Sequence, residues 1–225
     1  MINKNSVIIY CIKISNNLSK ISYYKTLLNN EEIFKANRFY FEKDRDCYIL
    51  ARGKLRELLG TILDINPKKI EFKYNDFNKP FIDSNIKFNI SHSKDYILIG
   101  FSNSHDIGVD IEYIKDNIKY KQLIYRFFSE NEIKEFLTIP EQFQKEAFFN
   151  GWTRKEAYIK AIGKGLNISL NSFDVSLKDE EEIKIINIDG KKNTIWKLYN
   201  LSCDKEYKSS FAINTSINNL ELIYN

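Results

Sequence analysis

Two acidic residues in an apolar stretch of the chain could bind a metal ion. Asp110 and Glu112 are two positions apart in residues 107–112, IGVDIE, a pattern typical of a strand. On a strand both carboxylates leave the same face, while Ile111 points into the core. Magnesium is usually held by one or two carboxylates together with substrate phosphates, so this pair suits magnesium. The alternative is a solvated strand face. The apolar neighbours favour a buried strand instead, where acids need a cation or hydrogen-bond donors.

A helix could bring a third carboxylate and two amines to the same place. Residues 152–160, WTRKEAYIK, have a helical pattern in which Glu156 and Lys160 are four positions apart and share one surface. Lys155 adds a second ammonium group. If this helix packs on the acidic strand, a metal ligand and two phosphate-neutralising groups lie on one rigid element. Taken singly, Glu156 is an ordinary surface residue paired with a lysine, and Trp152 is a core residue.

A third group of residues has the chemistry of a phosphate site. Residues 89–93, NISHS, present the hydroxyl of Ser91 and the imidazole of His92 at the end of a predicted strand. Lys79 precedes them in residues 78–80, NKP, and adds a cation. The alternatives are a hydrogen-bonded loop histidine and a solvated turn lysine.

The sequence argues against several other kinds of site. A Ser-His-Asp hydrolase could draw on Ser91 or Ser93, His92 and Asp110, but adjacent strand residues point to opposite faces, and no G-x-S-x-G turn is present. No Walker loop, GxGxxG, HExxH or EF-hand pattern occurs either. ATP-driven and nicotinamide chemistry are therefore not expected.

The composition is ordinary for a soluble globular protein. The chain has 225 residues and a hydrophobic share of 43%, enough for one large domain or two small ones. The net charge is only +4 and the basic residues are scattered, so no nucleic-acid surface is indicated. No signal-peptide pattern or membrane-spanning apolar run is visible. Cys11, Cys47 and Cys203 lie far apart in the sequence, which predicts free buried thiols and a cytoplasmic protein.

The periodicity predicts an α+β fold in which helices are followed by strands twice. Helices are predicted at residues 30–38, capped by Asn30, at 42–63, at 117–127, after the capping box of Ser129 and Glu132, and from Pro140 to Ile162, ending at Gly163. Strands are predicted at residues 7–14, 71–74, 87–90, 96–102, from 108, 172–175, 182–188, 194–201, 207–214 and 220–224. The polar residues 103–106 separate the two halves. A structural duplication fits this order, although no residue-level repeat is visible.

With these residues assembled, the chain resembles the 4′-phosphopantetheinyl transferases of the Sfp type. The matching strings, within about residues 35–165, are KANRFY, the helix from DR at 44–45 to Arg56, NKP, FNISHS, IGVDIE, and WTRKE with Lys160 and Gly163. GVDIE followed by WTRKEA is the most specific pair. The resemblance implies transfer of the phosphopantetheine arm of coenzyme A to a serine of an acyl or peptidyl carrier protein, with magnesium as cofactor and adenosine 3′,5′-bisphosphate as the second product.

The resemblance also assigns roles by position. The metal ligands would be Asp110, Glu112 and Glu156. The residues in contact with coenzyme A or near its nucleotide would be Lys35, Arg38, Lys79, Ser91, His92 and Lys155. The catalytic residues would be Glu156, which accepts the serine proton directly or through a metal-bound water, and Lys160, which neutralises charge or protonates the leaving group.

Two positions depart from the family pattern. Asn78 stands where the family commonly has glycine before the Lys-Pro pair. Because asparagine tolerates the left-handed conformation, we expect the turn to survive. Cys47 stands where an arginine is frequent. Arg45 or Arg52 could supply that charge, or nucleotide affinity would be weaker.

The chain length resembles that of family members in which two like halves form one site. The resemblance therefore implies an internal pseudo-dimer, with domains at residues 1–104 and 105–225, and a monomer. The helix at residues 117–126 is the candidate docking surface for the acidic carrier, an amphipathic core helix being the alternative. Two rival functions remain open: a non-catalytic module that binds nucleotide phosphates or an acidic partner, and a phosphate-ester hydrolase acting on coenzyme A.

Overall fold

The computed structural model describes residues 2–178, 185–188, 191–192, 195–216 and 220–224. In this part of the chain the α-helices are α1 (Ile21–Leu27), α2 (Asn30–Asn37), α3 (Glu42–Leu63), α4 (Tyr120–Phe127), α5 (Glu130–Thr138) and α6 (Glu141–Ile162). The strands are β1 (Ser6–Lys13), β2 (Lys73–Tyr74), β3 (Pro80–Phe81), β4 (Ile86–Ser93), β5 (Tyr96–Asn103), β6 (Ile107–Tyr113), β7 (Phe173–Val175), β8 (Ile185–Ile188), β9 (Lys191–Lys192), β10 (Trp196–Leu201), β11 (Tyr207–Asn214) and β12 (Glu221–Tyr224). The predicted α+β class is confirmed.

The two halves of the chain share one topology. In the first half, β5 lies between β1 and β4 and pairs with both in antiparallel fashion. In the second half, β11 lies between β6 and β10 with the same antiparallel pairing. Within each half one strand precedes the helices and the other two follow the long helix. Strands β1, β4 and β5 therefore correspond to β6, β10 and β11, and the predicted pair of similar α+β halves is confirmed.

Each half also contains a short helix that begins with a capping box. Asn29 accepts a hydrogen bond from the backbone of Glu32, whose side chain accepts from the backbone of Asn29. Ser129 and Glu132 do the same at the start of α5. Both boxes satisfy backbone N–H groups that have no partner within the helix. The box predicted at Ser129 is confirmed, whereas the cap of α2 is Asn29 and not Asn30, because the Asn29 oxygen is the one that reaches the third helical residue.

Both capping glutamates are buried and pair with the long helix of their own half. Glu32 accepts hydrogen bonds from Arg52 at 2.5 Å and Arg56 at 2.7 Å, both on α3. Glu132 forms an ion pair with Lys155 on α6 at 2.8 Å. The duplication thus extends to individual interactions. Arg56 and Lys155 are each the fifteenth residue of a 22-residue helix. The sequence did not show this repeat because the basic partners differ in residue type.

The two sheets meet where β4 runs beside β6. The strands belong to separate sheets, and side chains of β4 bridge the gap. Asn89 accepts a hydrogen bond from the backbone N–H of Val109 at 2.9 Å, and Ser93 accepts one from that of Tyr113 at 3.1 Å. We call this contact the β4–β6 seam. It places the motif NISHS directly against the motif GVDIE.

Some predicted elements shift in the structure. The prediction missed α1, and β4 extends through Ser93, so that the Ser-His-Ser motif lies inside a strand. The helix predicted from residue 117 begins at Tyr120. Residues 182–184 and 194 of two predicted strands lie outside the described residues. The last strand, β12, pairs in parallel with β1 and so joins the sheet of the first half.

The prediction of three free thiols is wrong for two of them. Cys11 on β1 and Cys203 after β10 form a disulfide, with their Cα atoms 6.0 Å apart. Their sequence separation of 192 concealed this proximity, which arises only when the halves pack. Cys47 is free and partly buried, and burial raises the pKa of its thiol to about 11. Within the described residues, no helix has the length and apolar character needed to cross a membrane.

Helix α6 packs on β6 through direct backbone contact at Gly108. A Cβ atom at this position would lie 2.1 Å from the carbonyl oxygen of Ala157 and 2.3 Å from the backbone nitrogen of Ala161. Both atoms belong to the helix backbone, so a local side-chain adjustment cannot relieve the overlap. The glycine of the GVDIE motif is therefore required for the helix to approach the strand.

We predict that Gly108→Ala lowers the free energy of unfolding by about 3 kcal/mol or more, because overpacking against a rigid backbone forces the helix away from the strand. Urea denaturation followed by circular dichroism measures this change. Gly165→Ala is the matched control: its Cβ would meet nothing within 4 Å, so only the strain of a left-handed backbone, about 1 kcal/mol, is expected. Equal losses in the two variants would contradict the assigned contact.

Candidate functional site

Asp110 is the most enclosed acid at the β4–β6 seam, with only 3% of its surface exposed. Its Oδ1 atom accepts hydrogen bonds from the Ser91 hydroxyl at 2.9 Å and from the Lys160 ammonium at 2.5 Å. Its Oδ2 atom is buried and has no hydrogen-bond partner among the described residues. Burial raises the pKa of Asp110, opposed by the positive charge of Lys160. One oxygen of this carboxylate is thus left for a further ligand.

Glu112 lies two residues after Asp110 on the same face of β6, as the sequence predicted. Its Oε2 atom accepts a hydrogen bond from the Ser93 hydroxyl at 2.9 Å. Burial and the nearby charge of Asp110 raise the pKa of Glu112. The two serines of β4 thus each hold one acid of β6, and this repeat follows from the shared two-residue period of the strands.

Glu156 faces the two strand acids from α6. Burial raises the pKa of its carboxyl, and repulsion from Asp110 and from Glu112 raises it further, while Lys160 lowers it. The structure therefore brings the three predicted metal ligands within electrostatic reach of one another. The predicted proximity of Glu156 and Lys160 is also observed, because both line one cavity.

That cavity, which we call the seam cavity, has a volume of about 290 Å³. It lies between the turn before β3, strand β4 and the second half of α6. Its lining residues are Phe77, Asn78, Lys79, Pro80, Asn89, Ile90, Glu156, Ile159, Lys160, Gly163 and Gly165. Both halves of the chain therefore contribute to its walls.

The acidic residues of this site fit magnesium. Among the described residues, no three His, Cys, Asp or Glu side chains are grouped closely enough to hold a metal by themselves. Magnesium does not require such a cage, since it commonly takes one or two carboxylates and completes its shell with water and substrate oxygens. The unpartnered buried oxygen of Asp110 is the observation that supports the fit. The donors are all oxygen atoms, as a hard cation prefers.

Lys79 reaches the seam cavity from the turn before β3. Its ammonium donates to the carbonyl oxygens of Ala161 at 2.7 Å and Ile107 at 3.3 Å. Desolvation lowers the pKa of Lys79 to about 8. The preceding Asn78 has a φ of 64°, so the left-handed turn expected despite the missing glycine is confirmed.

Three other predicted coenzyme A contacts lie at the surface of the first half. His92 is exposed; desolvation of its ring and repulsion from Lys160 lower its pKa, although Asp44 acts in the opposite sense. Lys35 is exposed, with its ammonium 5.4 Å from the centre of the Tyr48 ring. Arg38 is exposed and is the C-cap residue of α2.

Lys35 and Arg52 line a second cavity of about 360 Å³, next to Asn78. Arg52 lies 3.6 Å from the centre of the Phe72 ring and bonds Glu32 and the hydroxyl of Tyr74. Arg45, in contrast, forms an ion pair with Glu42 at 2.9 Å. Of the two arginines considered as replacements for the family arginine at Cys47, only Arg52 lines this cavity.

Lys155 does not reach the seam cavity. Its side chain is completely buried, and its ammonium donates to the carbonyl oxygens of Leu170 at 2.7 Å and Phe173 at 2.6 Å. Its ion pair with Glu132 uses the remaining direction, and desolvation lowers the pKa of the amine. The predicted phosphate contact does not fit this placement. Consecutive residues of a helix point about 100° apart, so Glu156 faces the cavity while Lys155 faces the core.

The predicted docking helix combines core and surface residues. On α4, Ile124 is buried, whereas Lys121, Tyr125 and Arg126 are exposed. Lys121 forms an ion pair with Glu141 at 2.5 Å. One face therefore belongs to the core, as the alternative interpretation held, and the other remains available.

Two residues that position the site received no role from the sequence. Ser93 holds Glu112, and Asn75 donates to the carbonyl oxygen of Gly163 at 2.8 Å. Ser93 could have been found, since it repeats the position of Ser91 two residues later on the strand. Asn75 could not, because its contact joins residues 88 apart in the chain.

Comparison with known proteins identifies the family. The sequence model described as 4′-phosphopantetheinyl transferase superfamily matches residues 106–213, and the one described as 4′-phosphopantetheinyl transferase, N-terminal, matches residues 16–104. The 4′-phosphopantetheinyl transferase gsp of Aneurinibacillus migulanus is 32% identical over 215 residues, which cover 94% of this chain and 88% of that protein. The chain belongs to the 4′-phosphopantetheinyl transferase superfamily.

Other relatives agree with this assignment. The 4′-phosphopantetheinyl transferase HetI of Nostoc sp. is 31% identical over 200 residues, covering 87% of this chain and 82% of its own. The 4′-phosphopantetheinyl transferase Sfp of Bacillus subtilis (strain 168) is 30% identical over 164 residues, covering 72% of each chain. The predicted resemblance is thus confirmed.

Solved structures of holo-(acyl-carrier-protein) synthases are more distant. The enzyme from Bacillus anthracis str. Ames, in complex with CoA (3′,5′-ADP), is 24% identical with a TM-score of 0.40 and covers 49% of this chain and 96% of its own. The Thermotoga maritima enzyme is 18% identical with a TM-score of 0.38, covering 50% of this chain and 64% of its own. Scores this low support no statement about the site.

We predict that Lys155→Met lowers the free energy of unfolding by about 3–5 kcal/mol, because it leaves the buried Glu132 charge without its partner. Denaturant titration measures the loss. The double variant Lys155→Met/Glu132→Gln should recover part of it. The folded fraction of Lys155→Met should bind coenzyme A with unchanged affinity, measured by calorimetry. A variant of normal stability with weakened coenzyme A binding would instead restore the phosphate role.

Proposed function

We propose that the protein transfers the 4′-phosphopantetheine group of coenzyme A to a serine of an acyl or peptidyl carrier protein and releases adenosine 3′,5′-bisphosphate. Membership of the family supports the reaction class. The observation that carries the proposal is the cluster at the seam, where Ser91, Asp110 and Lys160 bond one another beside the carboxylate of Glu156. Of these residues Glu156 and Lys160 line the seam cavity, and Lys160 links it to Ser91 and Asp110.

In the proposed reaction, the carrier serine oxygen forms a bond to the β-phosphorus of the coenzyme A pyrophosphate, and the bond from this phosphorus to the bridging oxygen breaks. Glu156, which faces the strand acids from α6, is positioned to accept the serine proton. Lys160 stabilises the negative charge that accumulates on the departing bisphosphate. We propose that Asp110, Glu112 and Glu156 hold magnesium, which, when bound, would neutralise pyrophosphate charge and increase the electrophilicity of the phosphorus.

We propose that coenzyme A lies across both cavities. The pyrophosphate would lie in the seam cavity, near Lys79 and Lys160. Lys35, Arg38 and His92 would lie toward the nucleotide, with Arg52 supplying the charge that Cys47 lacks. The two cavities share Asn78, which supports a continuous binding path.

The carrier and the assembly state complete the proposal. We propose that the carrier docks on the exposed face of α4, through Lys121, Tyr125 and Arg126. The protein would act as a monomer, since both walls of the seam cavity come from one chain.

We keep residues 1–104 and 105–225 as the proposed domains, because the two matched regions separate at residue 105. The cytoplasmic location stays a prediction. A disulfide is unusual in a cytoplasmic protein, because thiols are kept reduced there.

The deciding experiment measures the mass of a carrier protein. Incubation of the protein with coenzyme A, magnesium and an apo carrier should increase the carrier mass by one phosphopantetheine arm. We predict that Glu156→Gln lowers kcat by about a hundredfold or more, because the general base is lost, while its melting temperature is unchanged. Glu146→Gln, which removes a glutamate on the same helix away from the cavity, is the control. Free phosphopantetheine with an unmodified carrier would mean hydrolysis, and neither product would mean a binding module.

The reaction should also depend on pH through Lys79. Its pKa in the free protein is lowered to about 8, so the amine loses its proton, and with it the attraction for phosphate, above that pH. We predict that kcat/KM for coenzyme A falls about tenfold per pH unit above pH 8, as expected for one ionising group. Lys79→Arg stays protonated and should abolish this decline. An unchanged alkaline limb in Lys79→Arg would assign the ionisation to another group.

A further inference from the structure

The carboxyl end of α6 is held by the opposite half of the chain. Asn75 Nδ2 donates to the carbonyl oxygen of Gly163 at 2.8 Å, and Lys79 Nζ donates to that of Ala161 at 2.7 Å. Carbonyl groups in the last turn of a helix have no partner within the helix and carry its negative dipole end. The turn at residues 75–80, in the first half, therefore caps the helix of the second half that bears Glu156.

Asn75 also builds the turn itself. Its Oδ1 atom accepts hydrogen bonds from the backbone N–H groups of Phe77 at 3.0 Å and Lys79 at 2.9 Å. Its own N–H donates to the carbonyl oxygen of Lys79 at 3.1 Å. One side-chain amide thus folds the turn with its oxygen and reaches α6 with its nitrogen.

The contact between turn and helix is tight. Gly163 has a φ of 73°, and a Cβ atom there would lie 2.6 Å from Cδ of Lys79 and 3.3 Å from Nδ2 of Asn75. The turn therefore rests directly on the end of the helix. Both elements are walls of the seam cavity, the turn through Phe77, Asn78 and Lys79, and the helix through Glu156, Lys160 and Gly163.

We propose that Asn75 is a positioning residue that sets the width of the seam cavity, by tying the turn that carries Lys79 to the helix that carries Glu156. Asn75 does not line the cavity and acts through these two elements. Without the tie, the turn can move away from the helix, and the phosphates of the ligand contact Lys79 less closely. The inference rests on the proposed function only for the identity of the ligand as coenzyme A.

The variant Asn75→Asp tests the tie selectively. Aspartate keeps the acceptor that folds the turn, but it loses the donor to Gly163 and brings a negative charge to the negative end of α6. We expect the Kd for coenzyme A, measured by calorimetry with magnesium, and the KM for coenzyme A each to rise about tenfold. A change of this size corresponds to the free energy of about one lost hydrogen bond. The KM for the carrier protein should not change.

The control is Asn66→Ala in the same half of the chain. The Asn66 side chain accepts one hydrogen bond, from the backbone N–H of Lys68, in an exposed turn after α3. This variant should bind coenzyme A normally. If Asn75→Asp does not fold, Asn75→Ser, which keeps a short acceptor and cannot reach α6, replaces it.

Unchanged Kd and KM for coenzyme A in the aspartate variant would overturn the inference. This holds even if the melting temperature and the active fraction of the variant fall, since Asn75 would then only stabilise the fold. The proposed function fails separately. If the unaltered protein binds coenzyme A but loads no carrier, while the aspartate variant binds it more weakly, then Asn75 keeps its positioning role and the transfer reaction is excluded.

Discussion

The burial of Asp110 is the constraint on which the rest of the site depends. Removing a carboxylate from water costs several kcal/mol unless hydrogen bonds and an opposite charge compensate for it. Here the compensation comes from Ser91 on β4 and Lys160 on α6, both at the same oxygen. One of these partners belongs to the first half of the chain and the other to the second. The acid is therefore tolerated only when both halves have packed, which couples assembly of the site to folding of the whole chain.

Helix α6 satisfies this constraint because its two sides are anchored differently. Gly108 lets the helix backbone rest on β6, at the place where any side chain would separate them. Lys155 secures the opposite side through its buried ion pair with Glu132. Glu156, the next residue, is left facing the cavity. The adjacent charges of Lys155 and Glu156 thus have different roles: Lys155 anchors the helix, and Glu156 faces the cavity.

Local patterns in the sequence predicted the elements of the site but not their connections. The two-residue period placed Asp110 and Glu112 on one face, and the helical period placed Glu156 beside Lys160. These are statements about neighbours along the chain, and the structure agrees with them. The role of Lys155 could not be predicted in this way, because the direction of its side chain depends on the ion pair with Glu132 in another helix. The disulfide of Cys11 and the parallel pairing of β12 with β1 also depend on contacts between distant parts of the chain, which no local pattern reports.

The duplication of the fold shows why such long-range contacts matter. Since β4 corresponds to β10 and β6 to β1, the counterpart of the β4–β6 seam would lie between β10 and β1. In that region Tyr199 and Leu201 of β10 pack against the apolar cluster that contains Val7 of β1, and a disulfide joins Cys11 to Cys203. Acids and serines thus lie at the β4–β6 seam, whereas apolar residues and a covalent link lie near β1 and β10. The polar seam leaves one buried oxygen of Asp110 without a partner among the described residues. The apolar packing near β1 and β10 can supply stability that the polar seam gives up to bind its ligands.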